Sequence, residues 1–261
     1  MNTTELDMEK LEALSGKVMG DVGGAIGLLM AYIGDQAGVY RALEDAGPCS
    51  DEELARRTGL SQRYLREWLS SNAAFGYVDY DGDSDSFSLN PEQAALFSHE
   101  GEITCMQGFF QAVVAQYATH DTAVEVFKTG RGRPWGEHHQ CCFCGTDRFF
   151  RPGYVANLVS SWIPALNGVE EKLKAGARVA DVGCGHGSSS LLLAESYPNS
   201  VIHGFDFHPP SIEEANHKAA AGNVQNVDFQ VSTAKEFPGQ GYDLVCIFDA
   251  LHDMGDPVGA A

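Results

Sequence analysis

The residues of this chain best suited to hold a ligand form the stretch 181–187. Asp181 ends an apolar run, and Gly183, Gly185 and Gly187 alternate with other residues, among them Cys184, before a helix-forming run begins. This order predicts a buried strand, a tight turn and the start of a helix. Glycines permit positive φ in such a turn and, because they lack Cβ, allow a ligand to approach the backbone. In an α/β fold, this site lies at the carboxyl edge of a parallel sheet.

The spacing of the glycines distinguishes two classes of cofactor. The dinucleotide fingerprint G-x-G-x-x-G/A would put its third small residue at Ser188, with backbone donors facing a pyrophosphate. Here the third glycine is Gly187, one residue earlier, and Asp181 precedes the first. This acid-x-G-x-G-x-G pattern resembles motif I of the S-adenosylmethionine-dependent (class I) methyltransferases. The resemblance implies S-adenosyl-L-methionine as the cofactor, with Asp181 at the mouth of the site facing the ammonium group.

A second acid closes the next predicted strand. Asp206 follows Asp181 by 25 residues, and Phe207 comes directly after it. The resemblance implies that Asp206 takes the ribose hydroxyls and that Phe207 flanks the adenine, although Asp206 could instead only cap its strand. The acid often found after the third strand of that family is absent here. Thr233 or a backbone group would therefore have to contact the adenine amino group.

The fourth predicted strand, 242–249, runs into a second group of polar residues. Asp249, His252 and Asp253 form a segment similar to the His-Asp segment of small-molecule O-methyltransferases. In that family the histidine is the general base, and an imidazole with a pKa near neutrality suits the task. The resemblance makes His252 the candidate base, oriented by Asp253 or Asp249, and it also places Asp249 among the expected cofactor-binding residues. A solvated loop histidine is the alternative interpretation.

Upstream of the glycine stretch, residues 129–145 are predicted to form a loop containing two histidines and three cysteines. The spacing of His138, His139 and the cysteines fits no common zinc pattern, so no metal site is expected. We expect this loop to line the substrate pocket. The segment 148–154 lies where the family's linker helix covers the methionine end of the cofactor, so Phe150 is assigned to the cofactor and Tyr154 to the substrate.

Alternating strands and helices from residue 169 onward predict a parallel, doubly wound, Rossmann-like sheet. The N-terminal half instead predicts helices, a helix-turn-helix and two short strands around the acidic turn 81–86, which resembles a winged helix. Similar modules dimerise the methyltransferases of the subgroup that this chain resembles. We therefore expect a winged-helix-like dimerisation domain (1–98), a helical linker and lid (99–168), a cofactor domain (169–261) and a homodimer.

A winged helix also suggests DNA binding, but the charge argues against it. The formal net charge is −19, and residues 1–100 contain seven Lys and Arg against 18 Asp and Glu. Nucleic acids and anionic membranes bind largely through Lys and Arg. Neither is expected as a partner, and a small molecule is the expected substrate.

Several bulk properties predict a cytoplasmic protein. Residues 1–14 are acidic and lack the features of a signal peptide. The apolar run 22–34 is shorter than the roughly 20 residues that span a bilayer. The seven cysteines are odd in number and form no secreted framework, so they are expected to be reduced.

The chain ends soon after the fourth predicted strand, whereas the family sheet has seven. This suggests a truncated chain that is poorly soluble or partner-dependent and weakly active, because an uncovered sheet edge favours association. Two functions therefore remain open. One is methyl transfer to a small molecule, most simply O-methylation, and the other is a non-catalytic interaction or regulatory role.

Overall fold

The chain forms two compact units in the computed structural model, which describes residues 6–261. One unit comprises the residues up to 100 together with 104–110, and the other comprises 101–103 and 111–261. Residues 111–168 thus group with the cofactor half of the chain. The three-part division at residues 98 and 168 remains a prediction.

The first unit is helical with one small hairpin. Its elements are α1 (Met8–Gln36), α2 (Val39–Ala46), α3 (Asp51–Thr58), α4 (Gln62–Ala74), β1 (Asp79–Asp81), β2 (Ser86–Ser88) and α5 (Pro91–Phe97). The two strands pair antiparallel. Helix α6 (Gln107–Ala118) begins in this unit and ends in the other. The predicted helix-turn-helix and hairpin are confirmed.

An aromatic cluster around Tyr40 holds the helices of the first unit together. The Tyr40 ring meets Trp68 edge-on at 4.8 Å between centroids and stacks on Phe97 at 4.9 Å. Its hydroxyl donates to Asn72 Oδ1 at 2.7 Å, and Trp68 Nε1 donates to the Met30 carbonyl at 2.8 Å. Both aromatic side chains thus keep their polar atoms paired while burying their rings.

Helix α1 leaves much of its apolar surface uncovered. It spans 29 residues and, by length and composition alone, could cross a membrane, with 17% of its most apolar window buried. The expectation that this segment is too short considered only residues 22–34 and is corrected by the longer helix. A single helix of this kind is weak support for a membrane span, because core helices and signal sequences share the property.

Ion pairs neutralise the basic side chains of the first unit. All seven Lys and Arg of residues 6–110 lie 2.5–3.3 Å from a carboxylate oxygen: Lys10, Lys17, Arg41, Arg56, Arg57, Arg63 and Arg66. Arg63 and Arg66, on the second helix of the helix-turn-helix, pair with Glu67, Asp51 and Asp85. Most of these pairs are exposed and therefore weak, so the absence of nucleic-acid binding stays a prediction from the charge of the sequence.

The second unit contains a parallel sheet with helices around it. Its helices are α7 (His120–Thr129), α8 (Gln140–Asn157), α9 (Val169–Ala175), α10 (Ser188–Ser196), α11 (Pro209–Ala221) and α12 (Pro257–Ala260). Its strands are β3 (Arg178–Val182), β4 (Val201–Asp206), β5 (Val227–Val231) and β6 (Leu244–Cys246). They pair in parallel in the order β5-β4-β3-β6, which confirms the Rossmann-like prediction.

Three short turns complete the unit. They are 3₁₀ turns at Trp135–Glu137 and Leu251–Asp253, and a π-helical turn at Leu158–Trp162 that continues α8. Turns of the π type inside helices often accompany functional sites.

Two predicted elements differ from the structure. The predicted loop 129–145 is wrong beyond residue 139, because α8 begins at Gln140 and includes three cysteines, which form no disulfide bond among the described residues. The His139 side chain accepts a hydrogen bond from the Cys141 amide at 3.2 Å and so caps this helix. Strand β6 is also shorter than predicted, because Asp249 adopts φ of 50° in what was expected to be extended chain.

Replacing Gly34 by alanine is expected to destabilise the first unit by about 1–3 kcal/mol, the usual cost of overpacking a core. A Cβ at this position would lie 2.1 Å from the Trp68 ring. Denaturant unfolding would measure the loss.

Gly24→Ala is the matched control in the same helix. A Cβ there meets nothing within 4 Å, so this variant should gain about 0.5–1 kcal/mol from helix propensity. Equal effects of the two substitutions would contradict the packing shown around Gly34.

Candidate cofactor site and active site

The three glycines after β3 have different roles. All have positive φ, at 77° for Gly183, 52° for Gly185 and 76° for Gly187. A Cβ on Gly183 would lie 2.6 Å from Cβ of Ala250, and one on Gly187 would lie 2.6 Å from the Phe229 ring. A Cβ on Gly185 would meet nothing within 4 Å. The outer glycines therefore permit close packing, and the middle one borders open space.

The backbone donors of this turn are largely used within the protein. The amides of Gly183 and Cys184 donate to the Phe205 carbonyl at 2.7 and 3.0 Å. The Gly185 amide donates to Asp206 Oδ2 at 3.0 Å. The sequence suggested that such amides would face a ligand. Instead these three are satisfied by β4, and a pyrophosphate, which needs free donors, would find none of them.

Asp206 lies at the end of β4 with its carboxylate held by two amides. Oδ2 accepts from Gly185, and Oδ1 accepts from the His208 amide at 2.9 Å. Because each carboxylate oxygen has two acceptor positions, both can take one further donor. Phe207, the next residue, is 47% exposed, so an apolar face stands beside this acceptor pair.

Asp181 is fully buried, which corrects the expectation that it stands at the mouth of the site. It belongs to the central strand β3, between β4 and β6. Its Oδ2 accepts from the hydroxyls of Ser189 and Ser190, both at 2.6 Å. Oδ1 has no hydrogen-bond partner among the described residues. Burial raises the pKa of Asp181, and the two hydroxyls oppose that shift.

Tyr154 stands close to this buried carboxylate. Burial is the main cause that raises the pKa of Tyr154, followed by the charges of Asp181 and Asp249. The Tyr154 ring stacks on Phe150 at 6.3 Å between centroids and meets Phe248 at 5.4 Å. An aromatic wall from α8 and the end of β6 thus borders the region of Asp181.

His252 lies between two carboxylates in the turn after β6. Its Nδ1 is 3.7 Å from Asp249 Oδ1, and its Nε2 is 3.4 Å from Asp253 Oδ1. The ring is 62% exposed. At these separations the carboxylates act mainly through their charge, since good hydrogen bonds are shorter.

His138 lies near the same turn, although more than 100 residues away in sequence. Burial and Arg133 lower the pKa of His138, while the charge of Asp253 opposes this. Arg133 Nη2 lies 3.1 Å from His138 Nδ1. Because arginine can only donate, Nδ1 must accept, which leaves the ring proton on Nε2. His139, in contrast, is exposed and caps α8.

The other residues predicted for the site, Thr233 and Cys184, make few contacts that relate them to a ligand. Thr233 is exposed beyond the end of β5, with its hydroxyl 3.4 Å from Glu236. The Cys184 side chain is buried in an apolar cluster with Ile212 and Phe229, so only its backbone faces the turn. No group of three or more His, Cys, Asp or Glu in residues 6–261 could hold a metal ion.

The sequence patterns did not identify Asp147 as a candidate site residue. Its Oδ1 accepts from the Ser188 hydroxyl, and its Oδ2 accepts from Lys218 Nζ, both at 2.6 Å. The residue lies at the edge of the stretch interpreted as a loop, and no local pattern marks it. It joins α8 to the helix that follows the glycine turn.

Two known domain families match the chain. Residues 173–260 match a methyltransferase domain, and residues 24–99 match an Rv2258c-like winged helix-turn-helix domain. The second unit therefore contains a methyltransferase domain, with the class I S-adenosylmethionine-dependent methyltransferase fold. The glycine turn and β3–β6 lie within the matched methyltransferase domain.

Curated proteins similar to this chain include aklanonic acid methyltransferase DauC from Streptomyces sp. (strain C5), 35% identical over 88 residues. That match covers 33% of this chain and 40% of the relative. The 27-O-demethylrifamycin SV methyltransferase of Amycolatopsis mediterranei is 31% identical over 87 residues, or 32% of either chain. The chain thus matches less than half the length of these curated relatives.

The fold of the chain also matches a solved structure over nearly its whole length. Mitomycin 7-O-methyltransferase MmcR aligns with a TM-score of 0.69 and 20% identity, over 97% of this chain and 75% of that one. At this level of identity the likeness concerns the fold alone.

Ser190→Ala is expected to cost about 1.5–3 kcal/mol at pH 7, because the hydroxyl donates to a buried charge. Burial raises the pKa of Asp181 in the folded protein above its unfolded value of about 3.9. The free energy of unfolding therefore falls as the pH rises from the unfolded to the folded pKa, because the carboxyl must lose its proton in a buried position. Removing the donor raises the folded pKa further. The loss should therefore be small below pH of about 4 and grow as the pH rises.

Urea unfolding between acidic and neutral pH would measure this difference. Ser160→Ala is the control, since Ser160 is exposed and donates only to the Ala156 carbonyl. A loss that is independent of pH would contradict a charged Asp181 as the partner of Ser190.

Proposed function

We propose that this methyltransferase binds S-adenosyl-L-methionine at the glycine turn and methylates an oxygen of a small molecule. The observation that carries the proposal is the hydrogen bond between Gly185, which borders open space, and Asp206, which keeps free acceptor positions. Both lie at the carboxyl edge of the parallel sheet, where such folds bind ligands.

The chemistry of these residues fits this cofactor better than a dinucleotide. S-adenosylmethionine has no phosphate, so the occupied amides of Gly183, Cys184 and Gly185 are no obstacle to it. Its ribose offers two hydroxyl donors, which matches the two oxygens of Asp206. Its ammonium group would be attracted by the buried charge of Asp181, whose Oδ1 has no partner among the described residues but lies too deep for direct contact.

Other side chains would complete the cofactor site. Phe207 would flank the adenine, and Thr233 would stand near its amino group. Phe150 and Tyr154, whose rings stack on each other, would cover the methionine end. The glycines contribute space, and Gly187 also lets Phe229 pack against the turn.

The bound cofactor would supply an electrophilic methyl group carried on a sulfonium. The protein then has to orient the acceptor and accept its proton. We assign the proton to His252. Asp249 Oδ1 lies 3.7 Å from Nδ1 and Asp253 Oδ1 lies 3.4 Å from Nε2, so the carboxylates do not select one tautomer, and the nitrogen that faces the acceptor would act as the base. Asp253, 3.4 Å from Nε2, would stabilise the imidazolium that forms.

The acceptor is proposed to be a small hydroxylated molecule. The relatives and the solved structure are named for aklanonic acid, rifamycin and mitomycin, which supports this class without identifying the substrate. His138 would face the acceptor, because it lies near Asp253 and retains an N–H donor on Nε2. His139 is less suited to contact the acceptor, because its side chain already caps α8.

We further propose a cytoplasmic homodimer formed through the first unit. The exposed apolar residues of α1, including Val18, Val22 and Ile26, would be covered by a second copy. Their exposure favours this arrangement because soluble monomers rarely keep a long apolar stripe in water.

Asp206→Ala should weaken binding of S-adenosylhomocysteine at least tenfold, because two ribose hydroxyls lose a charged acceptor. Isothermal titration calorimetry measures the dissociation constant. Asp228→Ala is the matched control, since Asp228 is an exposed carboxylate on the neighbouring strand β5. Wild-type-like binding by the Asp206 variant would refute the role of Asp206 in holding the ribose, whereas no binding by the wild type would refute the cofactor assignment and favour a non-catalytic role.

His252→Ala should lower the rate of S-adenosylhomocysteine formation by roughly 10²–10⁴-fold with phenolic acceptors, the usual contribution of a general base. Affinity for the cofactor product should stay within about twofold, because His252 is assigned to the acceptor and not to the cofactor. His217→Ala, which removes an exposed histidine on α11, should leave both unchanged. An unchanged rate in the His252 variant would remove it as the base.

A further inference from the structure

Asp147 connects three elements of the second unit through one side chain. Asp147 lies on α8. It accepts one hydrogen bond from the Ser188 hydroxyl, at the start of α10, and another from Lys218 Nζ on α11. His186 Nδ1, within the glycine turn, lies 3.9 Å from Asp147 Oδ2. All these distances lie within one compact unit.

The Asp147 carboxylate lies in a partly buried environment, where the loss of a charged partner is costly. The side chains of Asp147 and Lys218 are 15% and 26% exposed, so their 2.6 Å ion pair is largely shielded from water. Removing one partner of a shielded pair leaves the other charge uncompensated, which costs far more than losing a surface pair. Asp147 also places its negative charge at the N-terminus of α10, where the helix dipole favours it.

The position of Asp147 on α8 relates it to the aromatic residues already described. Phe150 and Tyr154 follow it by three and seven residues, spacings that share one helical face. Tyr154 is near enough to Asp181 and Asp147 for both charges to raise its pKa. The anchoring of α8 by Asp147 therefore fixes the face that borders the cofactor region.

We propose that Asp147 is a positioning residue, which holds α8 against the glycine turn through Ser188 and Lys218 so that Phe150 and Tyr154 keep their places over the cofactor. This inference rests on the proposed function, because it assigns these aromatic residues to S-adenosylmethionine. Asp147 acts through the helix and does not itself contact the cofactor.

The test compares variants of both partners by their affinity for S-adenosylhomocysteine, measured by calorimetry well below the unfolding midpoint. Asp147→Asn and Lys218→Met should each weaken binding roughly tenfold, the size expected for one charge-assisted hydrogen bond. The double variant should lose little more, because both changes break one connection. Lys218→Arg keeps the pair and should stay within about threefold of the wild type.

Two further measurements separate positioning from a general loss of stability. Hydrogen exchange of residues 147–157 should accelerate in Asp147→Asn without cofactor. Glu170→Gln, which breaks the ion pair with Lys174 on α9, should change neither exchange in that range nor affinity.

Three results would overturn the inference. Wild-type affinity in Asp147→Asn and Lys218→Met would show that the connection does not support the site. Weaker binding in the first variant with equal or tighter binding in the second would mean that Asp147 acts on the ligand directly. Absence of binding by the wild type would overturn the proposed function together with this inference, whereas the first two results affect only the inference.

Discussion

The hydrogen bond from the Gly185 amide to the Asp206 carboxylate is the contact on which the site depends. It ties the turn after β3 to the end of β4, two strands already paired in parallel along their length. With the amides of Gly183 and Cys184 bonded to the Phe205 carbonyl, the turn is fixed before any ligand binds. A site organised in this way loses little conformational freedom on binding, and preorganisation of this kind favours affinity.

The same contact has a chemical consequence for the choice of ligand. Backbone amides that are already bonded to the protein are not available to phosphate oxygens, whereas the Asp206 carboxylate retains acceptor positions for hydroxyl donors. The turn is thus better matched to a ribose and a cationic amino-acid tail than to a pyrophosphate. The buried Asp181, with one oxygen held by two serines and the other without a partner among residues 6–261, extends this preference to a positive group.

Much of the fold could be predicted from the sequence, because β3 and β4 are largely apolar segments ending in an acid or a turn, and β5 alternates apolar and polar residues. The position of Asp206 followed from the same regularity. The start of α8 could not be predicted, because its cap is His139, a residue type that does not usually signal a helix N-terminus. The full burial of Asp181 could not be predicted either, because it depends on the position of β3 between β4 and β6 in the sheet.

The partners of Asp147 show why sequence patterns do not reveal contacts between residues that are distant in the chain. Ser188 and Lys218 lie 41 and 71 residues further along the chain, so only the tertiary fold brings them together. His138 and Asp253 are a similar case, since their proximity depends on the return of the chain after β6. Sequence patterns identify groups at strand ends, but they do not reveal which distant side chains hold those groups in place.

The occupied amides of the glycine turn and the acceptor positions of Asp206 should select S-adenosylmethionine over a dinucleotide. Titration of one preparation of the chain with S-adenosylhomocysteine and, separately, with oxidised nicotinamide adenine dinucleotide tests it most directly. We predict saturable binding of S-adenosylhomocysteine at micromolar concentration, about −8 kcal/mol, and no measurable binding of the dinucleotide. Dinucleotide binding of equal or greater strength would contradict the claim.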